Sequence, residues 1–314
     1  MALNSGNNPD VVKTSLDEVL YTEFNMPASP DQISASDSVF FKQEGIDRGS
    51  VIYAEYMPPA EFEEHAEEES RKLAEVKTGN KTTTDILNYK NTLPIPQEFF
   101  EDDQHSEVQE SIRAFARKAR QSQDKFAFEK SYGDSFSGVT TPDGVALYSN
   151  SHTALDGSTI DNLETGALSG TNLDTVIKSL ELQKDQAGEL GGHSVAGILV
   201  PRGLYKTLVE TIESSLIPQS GENDVNIYKT KYGTLKIGNN PRLDSTFNSL
   251  NTNADTSYFL VSPNHRISRT VRLGLETDLV PPSTDLKDRW FYKARYREVV
   301  VPKTWEGTVG SNGT

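Results

Sequence analysis

Asp143-Gly144-Val145-Ala146-Leu147-Tyr148-Ser149-Asn150-Ser151-His152 is the stretch that decides the architecture of this 314-residue chain. It leaves a turn-rich loop, Thr140-Thr141-Pro142-Asp143-Gly144, and runs through a short apolar piece to a polar end. Pro-Asp-Gly marks a reversal, because proline presets one dihedral, Asp bonds its own backbone and Gly relieves the turn. The loop separates two differently patterned regions. Before it lies the clearest helix of the chain, with Val108, Ile112, Phe115, Ala116 and Ala119 on one stripe. Asp102 or Asp103 can cap its start and Gly133 ends it. About thirty residues would span roughly 45 Å, long for a globular domain. Its other face carries Arg113, Arg117, Lys118 and Arg120, diluted by Glu107, Glu110, Asp124 and Glu129.

Beyond the loop comes a compact α/β region. Leu173, Val176, Ile177 and Leu180 form a helical stripe, and residues 195–200 read as a buried strand stopped by Pro201. Leu204, Tyr205, Leu208 and Ile212 predict a second helix, while Asn226-Ile227-Tyr228 and residues 234–237 read as short strands. The remainder is β-rich. Tyr258-Phe259-Leu260-Val261 is a short apolar strand, and Val271, Leu273 and Leu275 alternate with Arg272 and Gly274. Residues 290–301 form a long strand with Trp290, Tyr292, Ala294 and Tyr296 on one face, Lys293, Arg295 and Arg297 on the other. The small, polar tail 307–314 reads as flexible.

Toward the N-terminus the patterning weakens. The first fifty residues alternate polar stretches such as Pro27-Ala28-Ser29-Pro30 with short apolar pieces, and read as an arm ordered by lying on something else. From Pro58-Pro59, Phe62, Ala66, Leu73 and Val76 fall near one helical stripe, glutamates first and Arg71, Lys72 and Lys77 last, as the helix dipole favours. After Gly79-Asn80 an alternating strand occupies residues 82–93. Helix, turn and exposed strand together predict a projecting excursion.

Composition narrows the function. Against 31 Lys and Arg stand 46 Asp and Glu, a net charge of −15, which argues against a chain whose main task is gripping nucleic acid. The lack of cysteine excludes disulfides, thiolate metal sites and thiol nucleophiles. Five scattered histidines make no zinc pattern. No apolar run is long enough to cross a bilayer, and the polar N-terminus carries no secretory h-region, which predicts assembly and use in a cytoplasm. Gly133-Asp134-Ser135-Phe136-Ser137-Gly138 is similar to a hydrolase GDS run, yet Ser135 follows a long helix where a nucleophile elbow needs a strand. His152 with Asp156, close to Asp143-Gly144, could form a histidine–carboxylate pair, without a serine to complete it. Gly188-Glu189-Leu190-Gly191-Gly192 lacks the order of a phosphate loop and reads as a helix C-cap. No catalytic, cofactor or metal residues are assigned.

The order of segments resembles the major capsid proteins of the Hong Kong 97-type fold in tailed bacteriophages, closest to the Mu-like major head subunit group. Residues 143–152 look like that group's DG-x-x-LFS-x-x-H loop. Leu199-Val200-Pro201-Arg202-Gly203-Leu204 with the helix after it, Asn223-Asp224-Val225-Asn226-Ile227-Tyr228 as a strand start, Ser257-Tyr258-Phe259-Leu260-Val261 and Asp288-Arg289-Trp290-Phe291-Tyr292-Lys293 are also similar. The resemblance covers about residues 93–301. It implies an α+β fold: an N-terminal arm (1–48), an extended E-loop region (49–98), a peripheral P-domain holding the long spine helix (99–150 and 256–314) and an axial A-domain (151–255). It implies self-assembly as hexamers and pentamers into an icosahedral virion shell around double-stranded DNA, bound without sequence specificity. A separate scaffolding protein, or none, and a portal would be partners, with a decoration protein as a further candidate and no membrane, and the shell would assemble in the host cytoplasm. Arg113, Arg117 and Arg120 are expected to meet carboxylates of neighbouring subunits, and Tyr89 and Lys90 join them as contact candidates. Lapping between subunits is expected to be non-covalent, since no Lys–Asn pair stands out. An encapsulin-like compartment shell and, in another class, a serine hydrolase using Ser135 are the alternatives, with a carbohydrate- or receptor-binding module third.

Overall fold

The computed structural model describes residues 9–26, 29, 31–59, 61–64, 73, 76–101, 105–216, 225–233, 235–282 and 288–314. Where an irregular arm is expected, the described residues open with a helix, α1 (Pro9–Asn25). Val12, Leu16 and Leu20 bury one narrow stripe of it. The arm does gain its order by lying on something, and that something is its own chain: the stripe packs with Ile112, Phe115, Leu279 and Tyr292 in one cluster. After β1 (Lys42–Gly45), strands β2 (Ser50–Met57) and β3 (Lys77–Asp85) pair antiparallel with each other, outside both larger sheets. The helix expected after Pro58-Pro59 falls mostly outside the described residues; residues 61–64, 73 and 76, which are described, lie in no helix or strand.

β4 (Leu87–Pro96) and the short α2 (Glu98–Glu101) lead into α3 (His105–Glu129), the long helix. It has 25 residues, about 37 Å, shorter than the sequence pattern predicts. The capping candidates Asp102 and Asp103 lie outside the described residues. At its far end the Gly133 N–H donates to the Phe128 carbonyl at 2.7 Å, satisfying a carbonyl of the last turn. A Cβ at Gly133 would stand 2.9 Å from that oxygen, so glycine is required.

β5 (His152–Thr153), β6 (Thr159–Ile160) and β7 (Leu163–Glu164) follow the loop, then α4 (Gly170–Glu181), β8 (Gly197–Val200) and α5 (Arg202–Glu213) as the apolar stripes predict. Residues 226–228 are not a strand. Ile227–Tyr232 form α6, because the Asn226 side chain accepts the Tyr228 N–H and caps a helix turn, and Tyr228 then stacks on Tyr232 one turn later. Asn223 and Asp224 lie outside the described residues. Gly188-Glu189-Leu190-Gly191-Gly192 is not a helix cap either. α4 ends at Leu182, and residues 184–190 close a small hairpin whose turn uses Gly188 at φ 80°.

β9 (Lys236–Asn239), β10 (Tyr258–Val261), β11 (Ile267–Val280), β12 (Arg289–Pro302) and β13 (Thr308–Ser311) complete two sheets. The four-stranded one runs β1-β11-β12-β4 and the five-stranded one β7-β13-β10-β8-β9. The tail expected to be flexible is therefore a buried interior strand, β13, paired with β10 and β7. Its small residues are what lets it fit: a Cβ at Gly310 would lie 2.7 Å from the Tyr148 ring. The five-stranded sheet is covered on both faces, which explains its continuous apolar runs. Ile198, Val200, Tyr258 and Leu260 meet α4 and α5, while Leu199, Phe259 and Val261 meet Tyr132, Tyr148 and Phe128. This sheet draws β10 and β13 in beside β8 and β9, across the segment divisions at 150 and 255. The four-stranded sheet is covered by α1 and α3 on one face, and on the other only at its end, where Val299 and Val301 pack on Val51 and Tyr53 of β2.

Candidate functional site

The decisive loop is a fastener. His152 Nδ1 donates to Asp143 Oδ2 at 2.6 Å, His152 Nε2 faces the Leu147 carbonyl at 3.2 Å, and the imidazole stacks on Trp305. Asp143 Oδ1 also accepts from Thr141 Oγ1 and the Val145 N–H. Burial pushes the Asp143 carboxyl up, but the bonds from His152 and Thr141 overcome it and leave it below its ordinary value. The partner of His152 is thus Asp143 rather than Asp156, whose carboxylate instead accepts from the Ser158 backbone and hydroxyl. Four residues before His152 in the same loop, Tyr148 lies in the core against Phe259. The motif ties the end of α3 to the five-stranded sheet and exposes no reactive group.

Ser135 is fully buried, and its Oγ donates to the Tyr132 carbonyl at 2.8 Å. That bond is the turn that follows α3, as the missing strand context predicts. Among the described residues no group of three or more His, Asp or Glu side chains is placed to hold a metal ion.

What the fold leaves open is surface for contact. On β2 one row, Val51, Tyr53, Glu55 and Met57, is buried, and the other row exposes Ile52 and Tyr56. Phe62 and Leu73, at the far end of the excursion, are essentially fully exposed, and Val76 is half exposed. Large apolar side chains left exposed along one segment mark a protein-contact surface.

The arginines of α3 find partners within the chain. Arg117 bonds Glu110 at 2.7 Å and Glu23 of α1 at 3.4 Å, Arg113 bonds Glu110 at 3.4 Å, and Arg120 donates to the Glu23 carbonyl at 3.4 Å. The bonds from Arg117 and Arg113 hold the Glu110 carboxyl below its ordinary value. Sequence reasoning missed Glu23 because α1 itself went unread. Tyr89 and Lys90 stand on β4, in the four-stranded sheet and not on the β2–β3 excursion. Tyr89 stacks between Phe126 at 4.3 Å and Tyr296 at 4.9 Å, and burial pushes its phenol up to about 12. Lys90 is exposed beside a groove of about 360 Å³ between α3 and the sheet, floored by Tyr89, Tyr296, Phe126 and Leu275. Lys90 also faces Arg295 across the strands, so the open face of this sheet carries Lys90, Lys293, Arg295 and Arg297 on an otherwise acidic chain.

A family model described as phage capsid protein matches residues 80–310. No curated protein sequence matches the chain. Among solved structures, the fold is similar to that of the capsid of Myoviridae phage XM1, with 12% identity, a TM-score of 0.52 and coverage of 93% of this chain and 95% of that one. It is also similar to a Mycobacterium phage Bobi structure, with 10% identity, a TM-score of 0.54 and coverage of 91% and 92%. A virus-like particle from Pyrococcus furiosus is similar at 10% identity, with a TM-score of 0.50 and coverage of 95% and 98%.

Proposed function

Because the chain belongs to the phage capsid protein family, we propose that it builds the head of a tailed bacteriophage as hexamers and pentamers that close into an icosahedral shell around double-stranded DNA. The chain is a capsid protein with the Hong Kong 97-like fold. The observation that carries the assembly reading is the β2–β3 excursion, which leaves Ile52, Tyr56, Phe62 and Leu73 in water in a single chain. Closure by symmetric repetition buries such a surface on neighbours.

In this reading residues 1–48 act as the N-arm, 49–98 as the E-loop region, 99–150 and 256–314 as the P-domain with α3 as its spine, and 151–255 as the A-domain. β10 and β13 stitch the last two together. The loop at 143–152 favours the Mu-like major head subunit group. The shell assembles in the host cytoplasm with a separate scaffolding protein and a portal, and a decoration protein fits the open sheet face. The net charge of −15 suits a container that holds DNA without adhering to it. Paired substitution Ile52→Glu and Tyr56→Glu tests the reading. The variant should keep its circular dichroism and melting profile and form no shells. Normal shells from the variant would remove the excursion from the assembly surface.

A further inference from the structure

The buried row of β2 contains one residue that does not belong in an apolar seam. Glu55 is 3% exposed, between buried Tyr53 and Met57. It stands where the pairing of β2 with β3 slips, between Ala54 and Tyr56, and such a bulge re-aims a side chain. Glu55 Oε2 accepts the Asn80 N–H at 3.2 Å, while Oε1 has no hydrogen-bond partner among the described residues. Here the excursion touches the body: a Cβ on Gly79 would lie 2.4 Å from Leu155 and 2.9 Å from Glu55 Oε2. The touching loops are tied in series. The Leu155 N–H donates to Gln186 Oε1 at 3.1 Å, and the Gln186 N–H donates to Glu306 Oε1 at 3.1 Å. Gln186 is buried, and its Nε2 is likewise unpartnered among the described residues.

Acidic groups outnumber basic ones around this joint. Glu306 faces Arg266, Asp185 and Glu55, and Glu55 faces Asp143 and His152. Asp156 and Lys184, from the same loops, face each other. We propose that Glu55 and Glu306 form a proton-operated latch that holds the outer end of the paired β2 and β3 strands on the 154–156 and 185–189 loops and releases it as the pair ionises.

Burial pushes Glu306 up to about 7 and raises Glu55 above its ordinary value. A carboxyl raised in the docked arrangement binds its proton more tightly docked than released. Docking is therefore favoured most at pH below the ordinary carboxylate range, and that advantage is lost as pH rises through about 7. The latch rests on the fold alone; its use, setting how the excursion meets a second copy, rests on the proposed shell role.

Amide hydrogen exchange on the full-length protein, corrected for intrinsic chemical rates, tests the latch at about pH 5.5 and about pH 8. Amides of residues 53–57 and 77–82 should exchange about tenfold faster at the higher pH, while those of β10 stay unchanged. The variant Glu55→Gln with Glu306→Gln mimics the protonated pair and should exchange slowly at both. Wild-type exchange independent of pH, or an undiminished response in the double variant, overturns the latch. If the double variant does not fold, Glu55→Gln alone should cut the response about threefold or more, and an unchanged response overturns the proposal. A chain that shows this response and forms no shell keeps the latch and loses the shell role.

Discussion

His152 and Asp143 meet at 2.6 Å with both side chains withdrawn from water, and this pair closes the loop between the long helix and the five-stranded sheet. Asp143→Asn leaves a buried imidazole without its carboxylate and should lower stability by about 3 kcal/mol near neutral pH. The folded-state value of Asp143 is depressed, so its contribution is complete above the ordinary carboxylate value and is lost as pH falls through the folded one. Urea titrations should show wild type and variant apart at about pH 7 and converging near about pH 3. Parallel behaviour at both would remove Asp143 from the pH response.

The C-terminal strand is a second test, because sequence and structure disagree about it. Gly310→Val forces a branched side chain onto the Tyr148 ring, 2.7 Å from where a Cβ would sit, and overpacking of this kind costs about 1–3 kcal/mol or more. Deleting residues 307–314 removes an interior strand and should yield insoluble protein. A soluble, cooperatively melting truncation would contradict the position of β13.

Tyr89 carries the stack that joins β4 to α3 and β12. Tyr89→Ala should cost about 2–4 kcal/mol in thermal or urea unfolding, whereas Tyr89→Phe keeps the rings and should cost little. Equal losses from both would place the effect in the hydroxyl instead of the stack.

Arg113, Arg117 and Arg120 separate folding from assembly. The pairs of Arg113 and Arg117 with Glu110 are exposed, and the bonds of Arg117 and Arg120 to Glu23 are only half-buried; such pairs contribute little to stability. Replacing all three with Gln should leave the melting profile almost unchanged and reduce the yield of shells seen by light scattering. An undiminished yield would assign these arginines to the contact between α1 and α3 alone.

What could be read from the sequence follows the reach of local patterning. The stripe from Val108 to Ala119, the stripe from Leu173 to Leu180, and the alternating Trp290, Tyr292, Ala294 and Tyr296 all predict the observed elements, since each buries one periodic face. α1 escapes because Val12, Leu16 and Leu20 make only a narrow stripe, covered by residues far away in the sequence, such as Ile112 and Tyr292. β13 escapes because Thr308, Gly310 and Ser311 are small and polar, and their burial depends on Tyr148 and Asn162. α6 differs from the expected strand because Ile227 and Tyr228 favour strands in isolation, while the Asn226 cap decides for helix. The segment order predicts an excursion ahead of the long helix, but the intrachain partners of the arginines depend on Glu23, which no motif marks.

Negative-stain electron microscopy of the purified full-length protein, with light scattering for mass, tests the central claim most directly. Closed shells, or rings of five and six subunits, are the predicted result. A chain that stays monomeric at high concentration, with scaffolding protein and portal supplied, would contradict it.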